Sequence, residues 1–323
     1  MSDNKTPSNA LAKDSIESIQ ASFEEKGYIC NAHIATAIFL SQSLGKPILV
    51  EGPPGVGKTE LAKATSDWMQ KPLIRLQCYE GLDESKALYE WKYGKQLLYT
   101  QVLKDKLNNI VSKADTLESS IDSLDSFDDI FFSEKFLEPR PLLKAINNEK
   151  GSVLLIDEID RADEEFEALL LEILAENQIT IPEMGTIKGN ENKIIILTSN
   201  NTRELSDALR RRCIYLYLDF PTIEIEKKVL MNSVEKITSD EATKYASLIA
   251  YIRNLNLNKI PSLIESVEWV KYNIFNKGNT NENLGILLKD KSDQKIYLES
   301  IEKLNAVSYT HLRAHETLRY LVC

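Results

Sequence analysis

The sequence predicts an α/β fold: a parallel sheet flanked by helices, followed by a small C-terminal helical domain. Three observations carry that expectation. In "KPILVEGPPGVGKTELAKATSDWM" an apolar run, Ile48–Val50, leads through a Gly/Pro loop into a helix-like pattern. A second apolar run, Val153–Ile156, ends on the adjacent acids Asp157 and Glu158. After Pro221 the stretches "IEIEKKVLMNSVEKI", "DEATKYASLIAYIRNL" and "SLIESVEWVKYNIF" carry apolar residues at helical spacing. Continuous apolar runs suit strands covered on both faces, as in parallel sheets, whereas apolar spacing of three and four marks helices.

Composition limits the function classes. A chain of 323 residues with 43% hydrophobic content can bury one large and one smaller core. Acidic residues outnumber basic ones 49 to 39 and the net charge is −10, which argues against a general polyanion binder, because nucleic-acid affinity rests on neutralising phosphates. No nucleic acid is expected as a partner. No apolar run approaches the roughly 18 residues of a membrane span, and "MSDNKTPSNALAKDS" has no apolar signal core; the expected location is the cytoplasm. Cys30, Cys78 and Cys213 lack metal-like spacing and read as buried, reduced thiols. The ending Val307–Cys323, "VSYTHLRAHETLRYLVC", holds two of the three histidines and resembles the translation of a sequencing adapter. It is set aside as foreign to the natural protein. His33 is then expected to serve structure alone, and a His-based nucleophilic triad is excluded.

The first element is strand, loop and helix. Gly52, Gly57, Lys58 and Thr59 fill every fixed position of G-x-x-x-x-G-K-[ST], the P-loop pattern. Glycines let backbone N–H groups turn inward around phosphates at a helix N-terminus, where the dipole favours negative charge. Gly52, Pro53, Pro54, Gly55, Val56 and Gly57, with Lys58, Thr59 and Glu60 at the helix start, are therefore the expected ATP-binding residues. Lys58 is expected to reach the β- and γ-phosphates, and Thr59 to place its hydroxyl on Mg²⁺.

The second element, "SVLLIDEIDRADEEFEALLLEILAE", delivers Asp157 and Glu158 at a strand's C-terminal end, where ligands bind in open α/β sheets. Asp157 is expected to hold Mg²⁺ and Glu158 to orient the attacking water, the Walker B arrangement. Asp160 and Asp163 read as acidic caps before the helix Glu164–Glu176. A third strand, "KIIILTSN", ends in Asn200, whose amide suits the attacking water or the γ-phosphate; its neighbour Asn201 competes for that role. Between these strands "QITIPEMGTIKGNENK" alternates and turns at Met184-Gly185, an inserted hairpin over Ile179–Lys188. "SDALRRRCIYL" then presents Arg210, Arg211 and Arg212 in an acidic chain. A solvated basic helix terminus favoured by the macrodipole is one reading of this cluster, sufficient for Arg210.

P-loop, acidic pair, Asn-tipped strand and arginine cluster occur in this order in AAA+ ATPases. The stretches "GYI", "EGPPGVGKTELAKA", "RLQCYEGLDESKALYEW", "RPLLKAI", "LLIDEIDRADEEFEALLLEILAENQITIPEMGTI", "LTSNNTRELSDALRRRC" and "PSLIESVEW" resemble the MoxR family, specifically its CoxD-like branch. That resemblance implies a P-loop AAA+ parallel-sheet nucleotide-binding domain over residues 21–221, a helical lid over 222–306 and a flexible N-terminus over 1–20. It implies homo-hexameric rings, hydrolysis of ATP with Mg²⁺, and chaperone work with a von Willebrand A-domain protein. The implied client is a metalloenzyme, in this branch a molybdenum hydroxylase of the carbon monoxide dehydrogenase type. By the same match Arg212 first, and Arg211 second, point into a neighbouring subunit's ATP site, and Tyr28 and Ile29 line the adenine pocket.

The resemblance also places a helix insertion and acidic linker at about 86–135, which with the hairpin decorates one ring face and offers the client-contacting surface. Trp91 and Tyr93 within it read more simply as core residues, and Ser112–Asp129 as a solvated acidic, Ser-rich linker. One departure stands out: Ile260-Pro261-Ser262-Leu263-Ile264 offers no basic residue where many AAA+ lids place a sensor arginine, and Lys259 is the nearest. Two other classes compete. A small-molecule phosphotransferase would need an acceptor pocket and no arginine trio. A GTP-dependent switch or nucleic-acid motor is disfavoured by acidity and the lack of an N-K-x-D guanine signature.

Overall fold

A computed structural model describes residues 9–111, 133–182, 184–190, 192–276 and 283–303. The adapter-like ending and the linker Ser112–Asp129 lie outside them. The chain divides into two units, one of residues 1–51 and 58–217, the other of 52–57 and 218–323.

The first unit is built on five parallel strands: β1 (Ile48–Glu51), β2 (Leu73–Gln77), β5 (Val153–Asp157), β8 (Ile194–Ser199) and β9 (Ile214–Tyr217), in the order β2-β5-β8-β1-β9. The three inner strands are buried along their whole length, which is why they read as unbroken apolar runs. The edge strand β2 carries Arg75 and Gln77 in exposed positions. This order sets the C-terminal ends of β5, β8 and β1 side by side, although β1 lies about a hundred or more positions before the other two in the chain.

Helix α1 (Asn9–Glu25) packs on α2 (Ala32–Leu44), which begins at Asn31, whose side chain caps the Ile34 N–H, and ends at Gly45 in the left-handed region. Residues 9–20 were expected to be flexible; they lie in α1, because Ile19 and Phe23, four positions apart on one helix face, are both buried. His33, expected to serve structure, is exposed in the first turn of α2 and is not part of the buried core. After α3 (Lys58–Met69) and β2 come α4 (Glu84–Ala87), β3 (Tyr89–Trp91) and α5 (Tyr93–Val111); β3 pairs antiparallel with β4 (Leu137–Pro139), which leads into α6 (Pro141–Ile146). Trp91 is buried, but Tyr93, also expected in the core, is 66% exposed because it opens the insertion helix rather than closing the strand.

A short 3₁₀ turn (Ile159–Arg161) connects β5 to α7 (Glu164–Glu176), the span expected from sequence. Strands β6 (Gln178–Ile181) and β7 (Gly185–Lys188) form the hairpin, and α8 (Asp207–Arg210) precedes β9. Cys30 and Cys78 are buried and Cys213 is half-buried, all unpaired with one another; burial pushes each thiol up to about 12.

The second unit is helical after Pro221: α9 (Ile223–Ser233), α10 (Ser239–Arg253) with a capping box at Thr238 and Glu241, α11 (Leu263–Asn276), α12 (Leu284–Leu287) and a helical stretch over 291–303. Trp269 and Tyr297 are fully buried at its centre. Arg253, buried with Glu226, donates Nη2 to Glu226 Oε1 at 2.9 Å and Nε to the Pro261 carbonyl at 3.0 Å. The guanidinium nearest in sequence to the start of α11 is thus consumed within the lid. Lys259 is exposed, and its backbone N–H bonds Asp293.

Candidate active site

The loop between β1 and α3 has the backbone that its glycines allow. Gly57 holds φ +98, a conformation L-residues rarely adopt, and a Cβ on Gly52 would lie 2.0 Å from the Leu218 carbonyl oxygen. Pro54 is exposed, while Pro53, Gly55 and Val56 are half-buried. Lys58 and Thr59 open α3 immediately after the loop. Glu60, expected with the ATP-binding residues, is exposed and paired to Lys63 at 2.6 Å.

Lys58 is 7% exposed and its Nζ donates to Asn200 Oδ1 at 2.8 Å. Burial pulls its ammonium below the usual range, against the raising effect of Asp160, Asp157 and Glu158. Of the two asparagines at the end of β8, Asn200 carries this contact; Asn201 turns outward at φ +58, its N–H donating to Ser199 Oγ. Thr59 Oγ1 lies 3.4 Å from both oxygens of Asp157. A hydroxyl and a carboxylate beside a phosphate-type loop are hard oxygen donors that fit Mg²⁺, which keeps few protein ligands and completes its shell with water and phosphate. Among the described residues no cluster of three or more His, Cys, Asp or Glu could form a protein-only metal cage.

Asp157 and Glu158 share one hydroxyl: Thr198 Oγ1 donates to Asp157 Oδ1 at 2.5 Å and accepts the Glu158 N–H at 3.0 Å. Glu158 sits at φ +56, ψ +50, a strained backbone for a residue with a Cβ, costing about 1–3 kcal/mol. Its Oε2 accepts from Gln77 Nε2 at 3.0 Å and forms an ion pair with Arg161, whose Nε lies 3.1 Å away. Asp160 is buried, and its Oδ2 accepts from both the hydroxyl and the N–H of Thr202, tying the turn that carries Asn200 to the end of β5. Burial pushes its carboxyl up, but those bonds outweigh it and hold the group below the usual carboxylate range. Asp163 precedes α7 without capping it and accepts from Gly81 N–H instead. Tyr28 and Ile29 are half-buried; Tyr28 meets Phe23 edge-on, and burial raises its hydroxyl above the usual range.

The arginine turn is anchored at its start: Glu167, buried on α7, takes the Ser206 N–H and the Arg203 guanidinium. Arg210 is no solvated terminus. It reaches the buried Glu51 at the end of β1 at 3.3 Å, with the Tyr215 hydroxyl on the same oxygen at 3.0 Å. Arg211 is 82% exposed, 3.7 Å from the equally open Asp207. Arg212 is exposed and donates Nη1 to the Ala208 carbonyl. Sequence reasoning missed Arg75, Gln77 and Thr198; their signal is polar residues on strands that become neighbours only in the folded sheet.

Parallel strands whose C-terminal ends gather two adjacent carboxylates, an asparagine and the lysine-threonine pair that closes a P-loop motif in the sequence define a P-loop nucleotide-binding protein of the α/β class. The sequence matches the profile of the AAA domain (dynein-related subfamily) over residues 47–213, just over half of the chain. It belongs to that family. The chain is 27% identical to Bacillus subtilis YojN over 265 residues, 77% of this chain and 73% of that protein. It is 28% identical to an uncharacterized protein of Staphylococcus epidermidis over 202 residues, covering 61% of this chain and 63% of the relative. Among solved structures, a mutant of Thermotoga maritima RuvB matches with a TM-score of 0.43 and 19% identity, over 84% of this chain and 68% of that one. No described helix is long and apolar enough to cross a membrane.

Proposed function

We propose that this protein hydrolyses Mg-ATP to ADP and phosphate and couples the reaction to remodelling of another protein. The observation that carries the reading is convergence: Lys58 meets Asn200 at 2.8 Å and Thr59 lies 3.4 Å from Asp157, across 142 and 98 positions of sequence. In this reading the loop Gly52–Gly57 and Lys58 bind the phosphates. Thr59 and Asp157 would hold Mg²⁺, which supplies charge neutralisation at the phosphoryl oxygens. Glu158 orients the attacking water and draws its proton, and Asn200 fixes the water or the γ-phosphate by hydrogen bonding. Arg212, with Arg211 beside it, reaches the ATP of the next copy in a ring and stabilises charge in the transition state.

The test is release of inorganic phosphate by the purified protein with and without Mg²⁺, with Lys58→Ala alongside. Mg²⁺-dependent release to water, lost in the variant, is expected. Phosphate appearing on a second small molecule would move the protein to the phosphotransferases, and full turnover in Lys58→Ala would contradict the P-loop assignment.

The finer reading follows the MoxR-like, CoxD-like motifs: a cytoplasmic hexamer that acts with a von Willebrand A-domain protein to mature or activate a metalloenzyme, a molybdenum hydroxylase being the first candidate. The two insertions, α5 and the β6–β7 hairpin, are the proposed client surface; Leu97, Leu98 and Val102 stand exposed on α5. Reconstitution with a neighbouring von Willebrand A-domain protein and an apo-hydroxylase tests it. ATP-dependent gain of hydroxylase activity is expected, and its absence with all three proteins folded would overturn the assignment.

A further inference from the structure

The carboxylates at the end of β5 are held from the edge of the sheet. In the β2–β5 register Gln77 stands opposite Asp157 and Arg75 opposite Leu155. Residues two apart on a strand share a face, so Arg75 and Gln77 lie on the face that carries Asp157. Arg75 brings Nε, at 3.0 Å, and Nη2, at 2.6 Å, to one oxygen, Asp157 Oδ2, and leaves Oδ1 to Thr198. Asp157 is 4% exposed, and a carboxylate so buried needs both a counter-charge and filled lone pairs.

Arg75 Nη2 also donates to Gln77 Oε1 at 2.5 Å. A guanidinium can only donate and an ionised carboxylate can only accept. Contact with Arg75 therefore forces Gln77 to turn its carbonyl towards Arg75 and its NH₂ towards Glu158, where Nε2 lies 3.0 Å from Oε2. With the opposite amide orientation Gln77 would set its NH₂ against the Arg75 guanidinium and its oxygen against the Glu158 carboxylate, and hold neither.

We infer that Arg75 is the positioning residue of the acidic pair: counter-ion to Asp157 directly, and, by fixing the amide of Gln77, keeper of the Glu158 side chain. The inference deepens the Mg-ATPase reading and rests on it for its kinetic consequences. Arg75→Lys keeps the charge but offers a compact ammonium in place of a fork; Asp157 stays paired while Gln77 is released. Arg75→Ala removes both effects.

Two measurements test this. The first needs no nucleotide and no metal. Arg75→Ala should lower the melting temperature by about 2–4 °C, and adding Asp157→Asn to it should restore most of that loss, because no unpaired buried charge remains. An equal loss in the Asp157→Asn background would show that Arg75 and Asp157 are not coupled, and would overturn the inference even if the protein proved not to be an ATPase. The second uses Mg-ATP. Arg75→Lys and Gln77→Ala should each lower kcat by about tenfold with KM within about threefold, and the double variant should be no slower than Gln77→Ala alone, since both act through one contact. Additive losses, or unchanged kcat in Arg75→Lys, would contradict the relay. Absence of Mg-ATP turnover in the unmodified protein would instead count against the ATPase reading, leaving the first measurement to decide on Arg75.

Discussion

The acidic end of β5 and the arginine run at the end of α8 both concentrate charge, and they are finished to different degrees. Asp157 has Thr198 on one oxygen, Arg75 on the other and Thr59 within reach, all from its own chain. Arg212 has a carbonyl of its own helix on one nitrogen and is otherwise turned to solvent. Within the arginine run itself the contrast repeats: Arg210 is tied to the buried Glu51, while Arg211 stands beside an exposed aspartate. A buried carboxylate cannot wait for its partner, because an unpaired buried charge is costly; an exposed guanidinium is stable in water and can be matched later by an incoming anion. The difference teaches which groups complete a site alone and which depend on a second molecule.

Substitutions can break that comparison. The largest effect is expected on the self-sufficient side: Lys58→Ala should bring ATP binding and turnover to background, read by equilibrium binding of a fluorescent ATP analogue and phosphate release. Glu158→Gln should retain that binding and lose most turnover, since Asp157 and Thr59 remain while water orientation does not. Lost affinity with normal turnover at saturation would reverse the roles of the two acids.

Arg212→Ala comes next. Nucleotide affinity should stay within a few-fold while turnover falls by about 10³ or more, the scale of a lost arginine finger. Arg210→Ala should behave differently, as a stability variant: Glu51 is left buried without its charge partner, a loss of about 1–3 kcal/mol, visible in denaturant unfolding. If Arg210→Ala instead matched Arg212→Ala in kinetics with unchanged stability, the division within the run would collapse. Arg211→Ala should be the mildest, with stability changed by no more than about 0.5 kcal/mol, as for exposed sites, and a smaller kinetic loss than Arg212→Ala.

How much of this was legible in the sequence follows the range of the interactions. The P-loop, the strand-end acids and α7 were readable because each is encoded within a few turns of chain: glycine spacing, an apolar run, helical periodicity between Asp163 and Asn177. The hairpin was readable from its alternation and its glycine. Arg75, Gln77 and Thr198 were not, because their meaning depends on β2 and β8 flanking β5, an order that no local pattern specifies. The same holds for Arg210, whose partner Glu51 lies 159 positions away. Two errors were local. The polar opening hid the apolar pair Ile19 and Phe23 that fixes α1, and Tyr93 was read with Trp91 although the chain changes from strand to helix between them.

The central claim is that the site is finished within one chain except for an arginine that the next chain supplies, and mixing tests it most directly. Arg212→Ala subunits keep Lys58, Asp157 and Glu158; Glu158→Gln subunits keep their arginines. Combined under conditions where exchange is demonstrated by labelled subunits, some boundaries join a working site to a working arginine. The account predicts ATP turnover in the mixture above the weighted mean of the two separate preparations. Turnover no higher than that mean, with exchange proven, would contradict it and place the action of Arg212 within its own chain.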